Sequence, residues 1–290
     1  MTGWAQPSLP ARWSGQPRPA FVGRGHELGV LESAWAAVGQ GARQVIFIGA
    51  ESGAGKSRLG MELGLQLHRL GAAVLIGGCV AELGPVYQPF EEPVDQLRTA
   101  VVNGTLPLAD GPGQTNDQVA EWLGTIVGRH RTEGPDRSPL DERREVYTAL
   151  VSVLRVACNH RPVVLLLEDV HWAGSTSLQL LTYVIERTAE LPLLILVTHR
   201  TTEPDRSGQL LGTIASLYRL DGVQRLDLAP LTTEDIAEYL VQESRASRAQ
   251  AGPVAVMLRD QTGGNPFLLR EVCLDLGRRG GLRALRSQTV

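Results

Sequence analysis

The sequence predicts an α/β fold in which a mainly parallel sheet of five strands is flanked by helices and followed by a small helical domain. Five short apolar runs have the length and composition of strands that are buried on both faces. Helical patterns lie between these runs, and this alternation is typical of a parallel sheet with right-handed crossovers. Beyond residue 230 only helical patterns follow. The predicted strands lie at 45–48, 72–78, 163–167, 193–197 and 223–228.

The composition is that of a globular protein with a large core. Hydrophobic residues make up 43% and charged residues 20% of the 290 residues. The formal net charge of −3 gives no general electrostatic footprint for nucleic acid. We therefore do not expect this chain to hold DNA by its charge.

The cysteines and the apolar runs indicate in which cellular compartment the protein is located. The three cysteines are widely spaced and form no C-x-x-C pair, which argues against a disulfide framework or a zinc site. The apolar runs are far shorter than the roughly 20 residues that span a bilayer. The N-terminus also lacks the charged-then-apolar order of a signal peptide. These features predict a cytoplasmic location without membrane contact.

Residues 1–20 are predicted to form a flexible, proline-rich arm. The segment contains four prolines with interspersed glycine and serine, a composition that favours neither helix nor strand. Trp4 and Trp13 could anchor the arm on a neighbouring surface, but we expect them to pack loosely. The folded part then opens at 21–28, and an apolar repeat at helical spacing follows.

A glycine-rich segment follows the first predicted strand. Residues 50–57 read AESGAGKS and fit the phosphate-binding pattern G-x-x-x-x-G-K-[ST] except at the first position, where Ala50 replaces glycine. Small residues let backbone N–H groups surround a polyphosphate, the Lys56 ammonium reaches the outer phosphates, and the Ser57 hydroxyl ligates Mg²⁺. A predicted helix at 58–70 directs its positive end at the same anion. Because a residue that leaves a strand can keep a negative φ, we expect Ala50 to be tolerated.

Strand, loop and helix occur in the order of a P-loop NTPase. We assign residues 21–229 to a P-loop NTPase core, with a helical insertion at about 80–140 where prolines interrupt the pattern. Helices are predicted at 116–131 and 141–160. The predicted nucleotide contacts of the loop are Ser52, Gly53, Ala54, Gly55, Lys56, Ser57 and Arg58.

Charged residues follow two of the later strands. Glu168 and Asp169 end the third strand, where burial is costly unless the carboxylates face a cation or polar donors. Behind a phosphate loop the natural cation is Mg²⁺, and the second carboxylate could orient or deprotonate a water. Arg200 ends the fourth strand, where it could stabilise developing negative charge. The carboxyl ends of parallel strands meet at one edge, so we expect these residues to converge with Lys56. His171 and Trp172 are expected to pack the turn.

Residues 230–290 are predicted to form a small helical lid domain. Helices are expected at 232–243, after a capping sequence, and at 254–261, and a third begins near the Gly263-Gly264-Asn265-Pro266 segment.

Four segments in order around the loop resemble one family, the STAND class of P-loop ATPases, particularly the module of large LuxR-type transcriptional regulators. FVGRGHEL resembles the opening FVGRExEL, LLLEDVHWAG the strand end hhhhDDxHWAD, LLILVTHR the sensor strand, and TGGNPFLLREV the GNPF segment. The resemblance covers about 21–272. This chain departs from the pattern at Gly25, Ala50, Glu168 and Gly174, where the family usually has Glu, Gly, Asp and Asp.

The resemblance implies roles for individual residues. Val22, Gly23 and Arg24 match the segment that borders adenine, and Pro266 matches the proline that closes over the base. Glu168 and Asp169 match the metal-directed and catalytic acidic positions, and Arg200 matches the sensor arginine. The resulting catalytic set is Asp169, Glu168, Lys56 and Arg200, and the metal set is Ser57 and Glu168, for ATP or ADP with Mg²⁺.

The resemblance implies an ATP-binding switch with slow, Mg²⁺-dependent hydrolysis that controls a larger regulator. The sequence is then expected to stop before the winged-helix, sensor and helix-turn-helix domains of such a regulator, and DNA would be contacted only through those absent domains. An effector of unspecified chemistry would open the lid, and nucleotide-dependent self-association is left open. The alternatives are a small-molecule kinase on the same fold, an AAA-like motor or loader ATPase, and a module that binds nucleotide without hydrolysis.

Overall fold

The computed structural model describes residues 4–13, 18–81, 86–106, 115–128, 139–201, 208–244 and 246–278. Its strands are β1 (Gln44–Ala50), β2 (Ala73–Gly78), β3 (Val163–Glu168), β4 (Leu193–Arg200) and β5 (Val223–Asp227). Its helices are α1 (Gly25–Val38), α2 (Lys56–Arg69), α3 (Glu91–Val102), α4 (Asn116–Ile126), α5 (Pro139–His160), α6 (Ser175–Arg187), α7 (Gln209–Leu217), α8 (Thr233–Ser244), α9 (Arg248–Thr262) and α10 (Pro266–Arg278).

The five strands form one parallel sheet in the order β2-β3-β4-β1-β5, which confirms the predicted α/β fold. The register sets Ala50 at the end of β1 opposite Arg200 at the end of β4. Leu167 of β3 lies opposite Val197 of β4. The carboxyl ends of β1, β4 and β3 are therefore neighbours, in that order, at one edge of the sheet.

Two apolar layers cover the sheet, because alternate side chains of each strand point to opposite faces. Val45 and Phe47 face the larger layer, which contains the apolar sides of α3 to α7. Ile46 and Ile48 face the smaller layer, which is made by α1, α2 and Trp13. None of the helices in the described part of the chain is long and apolar enough to cross a membrane.

Several helices differ from their predicted bounds. The helix predicted at 116–131 ends at Ile126, and residues 129–131 of that prediction lie outside the described residues. The helix predicted at 254–261 is α9, which begins six residues earlier and contains Pro253. Gly252-Pro253 resembles a turn in the sequence, but the mutual hydrogen bonds of Ser247 and Gln250 start the helix ahead of it. Helix α7 was not predicted.

Loose packing was predicted for the N-terminal arm, but residues 4–13 pack closely on the rest of the protein. Trp4 and Trp13 are 3% and 5% exposed. The Gln6 side chain donates to the carbonyls of His68 and Ala72, at 2.7 Å and 2.8 Å. Burial of two indole rings offsets the entropy of ordering a short segment, which proline content alone does not reveal.

Helices α8 to α10 have an apolar cluster of their own, which includes Ile236, Leu240, Leu258 and Leu269. Val22, just ahead of α1, packs against this cluster. The segment that opens the folded part therefore contacts the C-terminal helices as well as the sheet.

A substitution at Gly64 tests whether the Trp13 ring packs against helix α2. A Cβ at Gly64 would lie 2.7 Å from the Trp13 ring, whereas a Cβ at Gly29, also inside a helix, would meet nothing within 4 Å. We expect Gly64→Ala to lower the free energy of unfolding by about 1–3 kcal/mol through overpacking. Gly29→Ala should raise it by up to about 1 kcal/mol through helix propensity. Urea unfolding measures the change in free energy for both variants. Equal stabilisation by Gly64→Ala and Gly29→Ala would contradict the packing of Trp13 against Gly64.

Candidate functional site

A cavity of about 470 Å³ lies at the carboxyl edge of the sheet, between the loop after β1 and the C-terminal helices. Its size suits a small ligand. Most of the site residues predicted from the sequence line it: Val22, Arg24, Ser52, Gly53, Ala54, Gly55, Lys56, Ser57, Arg58, Asp169, Arg200 and Pro266. Gly23 and Glu168 are not among the lining residues.

The charge of the lining favours an anion. Among the described lining residues, Lys56 and the arginines at 24, 58, 200 and 270 are cationic, and Asp169 is acidic. Arg24, Arg58 and Arg270 each pair with a glutamate, so the excess of positive charge is smaller than five. Low-dielectric walls strengthen this imbalance. A ligand that carries several negative charges fits the cavity better than a neutral one.

The loop between β1 and α2 has the backbone that its glycines permit. Gly53 and Gly55 have φ of 77° and 95°, in the left-handed region, and Gly55 directly precedes α2. Among the described residues Asp169 is the only non-glycine with a positive φ. Ala50 therefore needs no glycine conformation, and the expectation that it is tolerated is confirmed.

Lys56 is held inside the loop. Its Nζ atom donates to the carbonyls of Ala50 and Glu51 at 3.0 Å and 2.9 Å, and the residue is 8% exposed. Burial lowers the pKa of the ammonium, the nearby Asp169 carboxylate opposes this shift, and Arg200 adds to it. The ammonium is thus directed toward the concave side of the loop, where the outer phosphates of a ligand would lie.

Asp169 presents its carboxylate to the cavity from a strained turn. Its φ and ψ are 53° and 41°, and its backbone N–H donates to Thr198 Oγ1 at 3.0 Å. The side chain is 45% exposed. The next residues, Val170–Trp172, form a short 3₁₀ turn in which the rings of His171 and Trp172 are in contact, as predicted for packing residues. The Arg200 guanidinium lies 5.9 Å from the centre of the Trp172 ring.

Glu168 does not join the cavity lining, which differs from the predicted site. Alternation along β3 places it on the same side of the sheet as Leu166, above α2. There its carboxylate pairs with the Arg12 guanidinium of the N-terminal arm at 3.4 Å. The sequence predicted a loose arm, so this partner could not be anticipated. Its role as a metal ligand stays a prediction.

The opening segment contacts the loop through Arg24. This buried guanidinium pairs with Glu27 at 2.8 Å and donates to the Ala54 carbonyl at 3.2 Å. Gly23, with φ of 66°, allows a close approach to α8, because a Cβ there would clash with the carboxyl group of Asp235. Arg24 and Gly23 therefore fix the backbone around the cavity, and their contact with adenine stays a prediction.

Arg58 connects the same region to the arm. It pairs with Glu62 at 2.7 Å and donates to the Pro19 carbonyl at 3.0 Å. Its guanidinium lies 5.7 Å from the centre of the Phe21 ring.

The start of α10 contacts the loop directly, which sequence reasoning missed apart from Pro266. Asn265 Nδ2 donates to the Ser52 carbonyl at 2.8 Å, and the Phe267 N–H donates to the Gly53 carbonyl at 3.2 Å. Asn265 Oδ1 also accepts the N–H groups of Phe267 and Leu268, so it caps the helix. The GNPF letters were the available signal, since Asn before Pro predicts a helix start.

Other lining residues had no sequence signal, because only the packing of α8 and α10 brings them to the cavity. They include Leu231, Tyr239, Leu269 and Arg270. Burial raises the pKa of the Tyr239 phenol to about 12.

The donors present fit a nucleotide with Mg²⁺. The loop residues supply backbone N–H groups and Lys56 supplies an ammonium group to the cavity. The Ser57 hydroxyl and the Asp169 carboxylate also line it, and their hard oxygens suit Mg²⁺. No cluster of three or more His, Cys, Asp or Glu that could bind a metal occurs among the residues described above. Magnesium in such sites takes one or two protein ligands and completes its shell with phosphates and water.

Solved structures with a similar fold include the Aeropyrum pernix ORC1 protein in complex with DNA and Drosophila ORC bound to DNA. The first has 13% identity and a TM-score of 0.50, and the match covers 93% of this chain and 66% of that one. The second has 12% identity and a TM-score of 0.51, with coverages of 91% and 57%. At these identities the likeness concerns the fold alone.

A curated relative is an uncharacterized protein of Rhizobium meliloti (strain 1021), which is 24% identical over 264 residues. The match covers 87% of this chain and 25% of the relative, so the chain spans about a quarter of the relative's length.

A family model described as the AAA ATPase domain matches residues 20–197. The matched span contains the loop, Lys56 and Asp169, and it ends before Arg200 and Pro266. Since it covers more than half of the 290 residues, the chain belongs to the AAA ATPase domain family.

Proposed function

We propose that this AAA-type module is an ATP-binding switch that hydrolyses ATP slowly, of the STAND class, and that it controls a larger regulator of the LuxR type. One observation carries the proposal: a single cationic cavity is lined by the phosphate loop, by Asp169, by Arg200 and by the start of α10. The first three supply the chemistry of hydrolysis, and the fourth couples it to a helical lid.

Each of these residues has a physical role in the proposal. The N–H groups of the loop and the Lys56 ammonium bind the phosphates. The Asp169 carboxylate orients the attacking water and accepts its proton, and Arg200 stabilises negative charge as the terminal bond breaks. If held by Ser57 and, as predicted from the sequence, by Glu168, Mg²⁺ would neutralise charge on the phosphate oxygens.

The switch rests on contacts between the loop and α10. A nucleotide that touches both Lys56 and Pro266 stabilises the closed arrangement by its differential affinity for that arrangement. Opening costs the hydrogen bonds of Asn265 and Phe267 with the loop. Release of nucleotide is therefore slow until an effector offsets that cost.

Two observations support the regulatory part. Four segments resemble those of STAND modules, including the GNPF segment that contacts the loop. The chain also spans only about a quarter of its Rhizobium relative, as a module within a longer protein would. We accordingly propose that residues 230–290 act as the lid and that winged-helix, sensor and helix-turn-helix domains belong to the larger regulator.

Lys56 is the only lysine in the sequence, which gives a direct test of ligand binding. An amine-reactive ester can modify only Lys56 and the N-terminal amine. We expect Mg²⁺–ATP to protect Lys56 and to leave the N-terminal amine, the internal control, equally reactive, as peptide mass spectrometry would measure. Lys56→Ala should weaken ATP binding by at least about tenfold in calorimetry, since a charge-assisted hydrogen bond is lost. Unprotected labelling together with unchanged affinity would rule out the site.

The two neighbouring acids should differ in effect. Asp169→Asn is expected to reduce phosphate release, measured without any acceptor, by about 10²–10⁴-fold because it removes the proton acceptor. The affinity for ATP should change little. Glu168→Gln should cost less, since its carboxylate pairs with Arg12 outside the cavity lining.

Asp227→Asn is the matched control for both acids. Asp227 also ends a strand, pairs with Arg225 at 2.7 Å and is not among the lining residues. Its turnover should equal that of the unmodified protein. Full turnover in Asp169→Asn, or an equal loss in Asp227→Asn, would refute the assignment of Asp169.

Asn265 tests the coupling between lid and loop. Asn265→Ser keeps an oxygen that caps α10, but it removes the amide that donates to the Ser52 carbonyl. We expect the dissociation rate of a fluorescent ADP analogue, measured by stopped flow, to rise about fivefold for the loss of one hydrogen bond. Asn103→Ser, at the exposed end of α3, is the control and should leave the rate unchanged. An unchanged rate in Asn265→Ser would show that this contact does not restrain the lid.

A further inference from the structure

Asp169 has a backbone conformation that needs external support. It is the only described non-glycine residue with a positive φ, and strained conformations of this kind persist where the surroundings hold them. Aspartate tolerates this region better than most residues, but it still prefers others. The turn therefore depends on the hydrogen bonds made by the Asp169 backbone.

Two hydrogen bonds hold this backbone. The Asp169 carbonyl accepts the Trp172 N–H at 3.0 Å, a contact inside the turn itself. The Asp169 N–H donates at 3.0 Å to Thr198 Oγ1, on the neighbouring strand. The second bond connects the Asp169 backbone to strand β4, and the Glu168 carbonyl, in the peptide unit just before Asp169, also accepts the Cys79 N–H at 2.9 Å.

Thr198 is placed where the strand ladder stops. The pairing of β3 with β4 ends at Leu167 opposite Val197, one residue before Thr198. At that point the threonine hydroxyl, in a residue that is 0% exposed, accepts the N–H of the departing chain. Thr198 does not line the cavity, so it does not depend on the ligand for its place.

We propose that Thr198 is a positioning residue for hydrolysis: its hydroxyl holds Asp169 in the left-handed turn that points the carboxylate into the cavity. The proposal rests on the function proposed above. A carboxylate that is displaced by about 1 Å from its productive place can lose about 10²-fold in rate. Binding of the phosphates, which uses the loop, should not depend on Thr198.

The test compares Thr198→Val, which keeps the branched shape and loses the oxygen, with Thr198→Ser, which keeps the oxygen. We expect Thr198→Val to lower kcat for phosphate release by at least about tenfold through misplacement of Asp169, with the affinity for ATP unchanged. Thr198→Ser should restore kcat to within about twofold, since it can accept the same hydrogen bond.

Thr188→Val is the matched control. Thr188 is also 0% exposed, and its hydroxyl donates within its own segment to the Val184 carbonyl at 2.7 Å, far from the turn. It should keep full kcat. Equal turnover in Thr198→Val and Thr188→Val would overturn the proposal, as would equal losses in Thr198→Val and Thr198→Ser.

Hydrogen exchange tests the positioning role of Thr198 independently of ATP hydrolysis. Loss of the acceptor should speed deuterium uptake at the Asp169 amide in Thr198→Val and leave it unchanged in Thr198→Ser. If the unmodified protein releases no phosphate from ATP, the proposed hydrolysis is wrong. The rate of exchange at the Asp169 amide then decides by itself whether Thr198 holds the turn. Faster exchange only in Thr198→Val supports the positioning role, and unchanged exchange overturns it.

Discussion

The site depends first on the register of a parallel sheet. Because β1 lies beside β4, and β4 beside β3, the loop after β1, the end of β4 and the turn after β3 meet at one edge. Lys56, Arg200 and Asp169 each come from a different one of these segments. Their convergence therefore follows from backbone hydrogen bonds formed well away from the cavity. A slip of one residue in any of these strands would turn the end residue to the opposite face.

The second requirement is closure by the C-terminal helices. The loop carbonyls of Ser52 and Gly53 accept hydrogen bonds from the first residues of α10, and these same loop residues line the cavity. A ligand at the loop thus contacts groups whose positions depend on both parts of the molecule. In the switch proposed above, these contacts couple the bound nucleotide to the position of the C-terminal helices, which a phosphate loop alone would not do.

Features with a local cause could be predicted from the sequence. Apolar runs of strand length, the spacing of Gly55, Lys56 and Ser57, and charged residues at strand ends each depend on neighbours in the chain. The five-stranded sheet and the lining residues of the phosphate loop, Asp169 and Arg200 followed from them, whereas Val22, Arg24 and Pro266 were predicted from the family resemblance. The absence of a glycine requirement at Ala50 was also predictable, because the end of a strand keeps an ordinary φ.

Features with a tertiary cause could not be predicted. The pairing of Arg12 with Glu168 depends on the burial of Trp13, and the support of Asp169 depends on a hydroxyl 29 residues later in the chain. Nothing in the local pattern around either acid shows these partners. Helix α9 was predicted to begin at residue 254, but it begins at Arg248, because the Ser247 and Gln250 side chains cap it there and Pro253 lies inside the helix.

The central claim is that this cavity holds a purine nucleotide by its phosphates. The most direct measurement is chromatography of the small molecules released when the freshly purified protein is denatured, combined with equilibrium dialysis of the emptied protein against Mg²⁺–ATP. We expect ADP or ATP in the released fraction and saturable binding at one site per chain. Empty protein that also fails to bind ATP in dialysis would contradict it.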